Sequence, residues 1–200
     1  NKGRKKGNIM SINFDEIIDR RGTSCLKYDF AVERGYPKDV LPFWVADMDF
    51  RAPVPVIDAL TARTAHGIFG YTQVKDDYFN VLRNWFRTHH AWTVQRDELV
   101  ITPGVVFAIA TAIRAYTAPN EAVIIQQPVY YPFASMIRQN GRTLIDSPLR
   151  FADGHYSIDF ADFEQKIIDH KVKLFVLCSP HNPVGRVWTR AELEQLAAIC

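Results

Sequence analysis

The chain has 200 residues, 48% of them apolar, with 24 basic and 22 acidic side chains and a formal net charge of +2. That length and apolar content suffice to bury a sizeable core, and the near-balanced charge creates no large field for nucleic acid or a membrane surface. No apolar run is long enough to span a bilayer or form a signal-peptide core. The three cysteines, Cys25, Cys178 and Cys200, are odd in number, far apart and without metal-ligand spacing, so the expected setting is reducing and cytoplasmic.

Taken in chain order, residues 1–9 carry Lys2, Arg4, Lys5 and Lys6 among glycines and read as a disordered leader. Residues 10–53 have aromatics scattered among charges (Phe14, Tyr28, Phe30, Tyr36) and read as an arm that lies across something else. Its most distinctive piece is Leu41-Pro-Phe-Trp-Val-Ala-Asp-Met-Asp-Phe50, where Phe43, Trp44 and Val45 could simply be buried packing. The apolar spacing of Val56, Ile57 and Leu60 predicts a helix over 54–65. Gly67-Ile-Phe-Gly-Tyr-Thr72 breaks it. A second helix over 76–89 is predicted to turn Tyr78, Phe79, Leu82, Trp85 and Phe86 to one face.

From Glu98 the pattern changes to alternating strands and helices. Residues 98–102 read as a strand, Pro103-Gly104 as a turn, and 105–116 as an apolar helix. A strand, a glycine turn and a helix N-terminus form a physical anion site, because the first N–H groups of the helix are unpaired. One glycine is a weak signal, and the absence of Gly-x-Gly-x-x-Gly argues against a dinucleotide fold. A strand follows at 122–126, then Pro128 to Phe133, then a helix to about Gln139. Residues 142–147 read as another strand, Ala152-Asp-Gly-His155 as a hairpin turn, and 158–169 as a helix with Phe160, Phe163, Ile167 and Ile168 inward. Leu174 to Cys178 is a continuous apolar run, the pattern of a buried parallel strand. Ser179-Pro-His-Asn-Pro-Val-Gly185 stops it, and Thr189-Arg-Ala-Glu192 is a capping box that opens a helix to Cys200. Three strand–loop–helix units thus predict an α/β domain whose sheet edge carries Gly104, Tyr130 and Asn182.

The loop 179–185 resembles the S/N-P-x-N-P-T/G-G loop of fold-type I pyridoxal-phosphate (PLP) enzymes, the class I/II aminotransferase superfamily. Residues 41–50 resemble the signature of its MalY/PatB-type cystathionine β-lyases (C–S lyases). The resemblance implies a three-layer αβα large domain with a mostly parallel sheet over 54–200, incomplete here, and an arm over 10–53 that belongs to the small domain and substrate entrance, carrying Trp44, Val45 and Ala46. It implies that Gly104 and Val105 give backbone amides to the cofactor phosphate, that Tyr130 stacks on the ring, and that Asn182 bonds its phenolic oxygen. Tyr71, in G-x-F-G-Y-T, would reach the phosphate of the partner subunit of a homodimer. The implied reaction is β-elimination from cystathionine or cysteine to thiol, pyruvate and ammonia; an aminotransferase or a regulatory protein that keeps the fold are the alternatives. The family's Schiff-base lysine has no match here, since Lys166, Lys171 and Lys173 lie toward the wrong edge. The expectation is an N-terminal half, inactive alone. No metal, nucleic acid or membrane is expected.

Overall fold

The computed structural model describes residues 13–200, so the expected leader over 1–9 lies outside the described residues. The chain divides into two compact units between Val74 and Lys75. In the first, turns and one 3-10 turn at Val32–Arg34 lead into helix α1, Val54–His66. The helix starts where Pro53 and Pro55 fix the backbone without needing an N–H, and Gly67 closes it at φ 73° with its N–H on the Thr64 carbonyl. Its apolar residues Val56, Ile57 and Leu60 are exposed within this structure.

In the second unit, α2 (Asp76–His90) buries Phe79 alone of its expected face, with Trp85 and Tyr78 exposed. The Arg96 guanidinium lies 3.4 Å from the Phe79 ring centre. Two departures from expectation concern strands. Residues 98–102 form no strand: a 3-10 turn at Arg96–Glu98 runs into extended backbone at Leu99, with Val100 and Ile101 exposed. A strand exists only through ladder partners, and this segment has none among the described residues. The strand expected over 174–178 is also shorter than its apolar run. It is β5, Leu174–Phe175, half-buried rather than covered on both faces, because it pairs with a single neighbour.

The sheet has three parallel strands in the order β2-β1-β5, where β1 is Ala122–Ile125 and β2 is Thr143–Asp146. Ala122 faces Thr143 and Ile125 faces Asp146, while Val123 and Ile124 face Leu174 and Phe175. All four residues of β1 are buried, as a central parallel strand requires. Its side chains alternate between two cores. Val123 and Ile125 pack with Ile113 of α3 (Val105–Tyr116) and with Phe133, Ala134 and Ile137 of α4 (Pro132–Gln139). Ala122 and Ile124 pack with Phe163 of α5 (Phe160–His170), Trp188, and Leu196 of α6 (Arg190–Ile199).

This two-sided arrangement follows from the strand order. The step from β1 to β2 runs one way across the sheet, and the step from β2 back past β1 to β5 runs the other. Right-handed crossovers in opposite directions put α4 and α5 on opposite faces, which gives three layers, helix–sheet–helix. The hairpin β3 (Arg150–Ala152) and β4 (His155–Ser157) turns through Asp153 and Gly154, both at positive φ. Phe163 is fully buried and Phe160 and Ile167 half-buried, but Ile168 is exposed, one position off the buried stripe.

Candidate functional site

The carboxyl ends of β1 and β5 are adjacent, and each runs into a loop with prolines. The loop after β1 carries Tyr130, half-buried and edge-on to Phe133 at 6.1 Å between ring centres, with Tyr131 exposed beside it. The loop after β5 carries Asn182, exposed, whose backbone N–H points to the Cys178 sulfur at 3.4 Å. His181 fastens one loop to the other: its Nε2 lies 3.0 Å from the carbonyl of Pro128. The loop closes on itself through His181 N–H to the Arg186 carbonyl (2.6 Å) and Gly185 N–H to the His181 carbonyl (2.7 Å).

Gly104 reaches the same edge by a different route. The C-terminal end of α3 is tied to the amino ends of the strands, because Arg142, just before β2, donates to the Thr117 hydroxyl at 2.9 Å and to the Thr117 carbonyl at 2.5 Å. Helix α3 therefore runs against the strands. Its 12 residues span about 18 Å, more than the roughly 13 Å of a four-residue strand, so its N-terminus lies at the carboxyl edge. Gly104 caps that end at φ 146°, a backbone conformation reserved for glycine. The first N–H groups of α3, beginning with exposed Val105, have no partner within the helix.

The second unit thus brings Gly104, Val105, Tyr130 and Asn182 to one edge. Anion donors, a flat ring and an amide with no side-chain hydrogen bond to the described residues fit a phosphorylated ring that carries an oxygen. No lysine among the described residues is seen to stand with them: Lys166 is ion-paired with Asp162 at 2.9 Å, and Lys171 and Lys173 precede β5 at the amino edge. The remaining predicted residues belong to the first unit. Tyr71 is fully exposed there. Trp44 is half-buried beneath the Arg34 guanidinium, 4.6 Å from its ring centre, in an apolar hollow of about 370 Å³ that includes Tyr36, Leu41 and Phe43. Val45 and Ala46 are exposed, and Val45 is held at φ 61°, a strained value for a β-branched side chain.

Sequence reading missed four features. Arg20 pairs with both Asp47 and Asp49, while Lys27, 6% exposed, donates to the Asp47 carbonyl at 2.9 Å and approaches Asp49 at 3.5 Å. The Arg20 bonds raise its own pKa and hold both carboxyls below the usual range. The spacing of Asp47 and Asp49 was a usable signal, since alternate residues of an extended chain share a side. His181 is 1% exposed and edge-on to Trp188 at 5.3 Å between ring centres. Burial lowers its pKa against the pull of the Pro128, Gln126 and Cys178 carbonyls. Gln126, 2% exposed just past β1, has neither its side-chain nitrogen nor its oxygen paired among the described residues. Finally, Arg186 donates to both oxygens of Glu192, at 2.7 and 2.9 Å, and to the Tyr156 carbonyl, locking the hairpin to the start of α6. Burial pushes the Glu192 carboxyl up, but Thr189 and Arg186 outweigh it and the net shift is downward. No group of three His, Cys, Asp or Glu side chains among the described residues could hold a metal ion.

Residues 38–200 match the model of the family Aminotransferase class I and II. Cystathionine beta-lyase PatB of Bacillus subtilis is 44% identical over 189 residues, 94% of this chain and 49% of that protein. The structure of cystalysin from Treponema denticola, which contains pyridoxal 5'-phosphate, superposes with a TM-score of 0.85 at 37% identity, covering 95% of this chain and 49% of its own. The PLP-bound C–S lyase of Staphylococcus hominis gives 0.85 at 34% identity, covering 96% and 49%. The chain spans about half the length of the curated relatives it matches.

Proposed function

The chain belongs to the class I and II aminotransferase family, and on that premise we propose that the complete protein is a PLP-dependent carbon–sulfur β-lyase. It takes cystathionine, cysteine or a similar amino acid to thiol, pyruvate and ammonia. The observation that carries the cofactor reading is the carboxyl edge itself, where β1, β5 and α3 present Tyr130, Asn182 and Gly104 together. The lyase reading rests on the likeness to cystathionine β-lyases along almost the whole chain.

Bound PLP supplies an electron sink for charge developing at the substrate Cα. The residues of this chain hold and tune it. The amides of Gly104 and Val105, with the positive end of α3, receive the phosphate, and Gly104 leaves room for its approach. The Tyr130 ring offers a flat face for stacking, and the Asn182 amide donates to the ring oxygen, favouring its charged form. Trp44, Val45 and Ala46 belong to the substrate entrance. In this reading residues 10–53 are the entrance arm and 54–200 the N-terminal part of the large domain. The protein works as a cytoplasmic homodimer in which Tyr71 serves the partner's site.

The test is product analysis of the complete protein supplied with cystathionine or cysteine. Thiol and pyruvate released in equal amounts without an amino acceptor are expected. A keto acid formed only when an acceptor is consumed, with no free thiol, makes it an aminotransferase instead.

A further inference from the structure

The loop residue with the most complete burial is not one of those proposed to touch the cofactor. His181 is 1% exposed, directly precedes Asn182, and reaches 53 positions back to Pro128, two residues before Tyr130. It is held from several sides: Trp188 stands edge-on to the ring, and the Trp188 indole N–H is itself fixed on the Cys178 carbonyl at 2.9 Å. A carbonyl can only accept, so the nitrogen 3.0 Å from Pro128 must carry the proton. Burial keeps the ring neutral near neutral pH, which leaves Nδ1 bare, and Nδ1 is indeed buried without a partner among the described residues. One hydrogen bond is therefore what connects the side chain of this histidine to the opposite loop.

We propose that His181 is a positioning residue: through its Nε2–H it fixes the loop carrying Tyr130 against the loop carrying Asn182, and so sets the spacing of the two groups at the carboxyl edge. The proposal rests on the PLP reading for what Tyr130 and Asn182 hold, but the strut itself is a property of the protein alone. Glutamine and asparagine separate the possibilities, because a glutamine amide reaches about where Nε2 stands and an asparagine amide only about where Nδ1 stands.

In the complete protein freed of PLP, His181→Asn is expected to speed hydrogen exchange at the Val129, Tyr130 and Tyr131 amides about tenfold, the size of one hydrogen bond lost, and His181→Gln to restore it. With PLP added, His181→Asn is expected to raise the half-saturating cofactor concentration and shift the absorbance of the bound cofactor, again with rescue by glutamine. In the unmodified protein, the imidazole nitrogen resonances are expected to report a protonated Nε2 and a bare Nδ1. The opposite tautomer, or equal exchange in the asparagine and glutamine variants, overturns the strut. Unmodified protein that takes up no PLP removes the cofactor reading and leaves the exchange and tautomer results to decide the strut.

Discussion

Asn182 is exposed, and its side-chain amide makes no hydrogen bond to the described residues, so removing it should cost the fold little. If the complete protein is the proposed lyase, Asn182→Ala is expected to raise the pH at which the bound cofactor's absorbance titrates and to weaken transition-state stabilisation by ~1.5–3 kcal/mol, the range for a hydrogen bond to a charged group. An absorbance titration beside a melting curve checks it; a lowered melting temperature with an unmoved titration would make Asn182 a turn residue. The neighbouring His181 behaves in the opposite way, through stability. Its ring faces the carbonyls of Pro128, Gln126 and Cys178, the Trp188 ring and, over that ring at 4.7 Å, the Arg186 guanidinium, with no carboxylate among them. Since the folded pKa is depressed, its contribution is fully present above the unfolded value of about 6.5 and is lost as pH falls through the lower folded value. Melting temperature followed from pH 7 downward should fall across that window, and His181→Gln should flatten the decline.

The elements differ in how much of them the sequence shows, and the difference is one of distance. The capping box at Thr189 is legible because its chemistry closes within four residues: Glu192 N–H donates to the Thr189 hydroxyl, and Thr189 N–H to the Glu192 carboxylate at 2.7 Å. Thr189→Ala is expected to cost about 1 kcal/mol in denaturant unfolding. Gly104 is legible as a turn, but its φ of 146° is not. A methyl group there would meet no atom within 4 Å, so Gly104→Ala should lose roughly 1–3 kcal/mol through backbone conformation alone, measurable in the same unfolding experiment. Residues 98–102 look like a strand because their side chains suit one, while pairing depends on a partner that local pattern cannot supply. In the Arg20, Lys27, Asp47 and Asp49 cluster the alternate spacing pairs the two carboxylates, but their partners stand 20 to 29 residues away, where no periodicity names them. Lys27→Met leaves Asp47 with Arg20 and Asp49 with Arg20 and the Tyr28 hydroxyl, and limited proteolysis should then cut the 41–50 stretch faster.

At the scale of the molecule, strand order converts scattered residues into one edge, and the same logic extends to the proposed dimer. Tyr71 is fully exposed in the first unit, where an isolated packing role gives an aromatic ring nothing to bury against. If it serves the partner's site, two defects placed on different subunits should separate. In a hybrid of one Tyr71→Phe subunit and one Asn182→Ala subunit, the first subunit's site has its own Asn182 and receives the partner's intact tyrosine. The other site carries both defects. Random reassociation of equal amounts should therefore restore about a quarter of the sites, since half the dimers of a two-fold assembly are hybrids and one site in each is whole. PLP retention and thiol release, measured before and after mixing, read the result directly. Activity that stays at the average of the two variants would place Tyr71 in its own subunit's site, and sedimentation as a monomer would remove the shared site altogether.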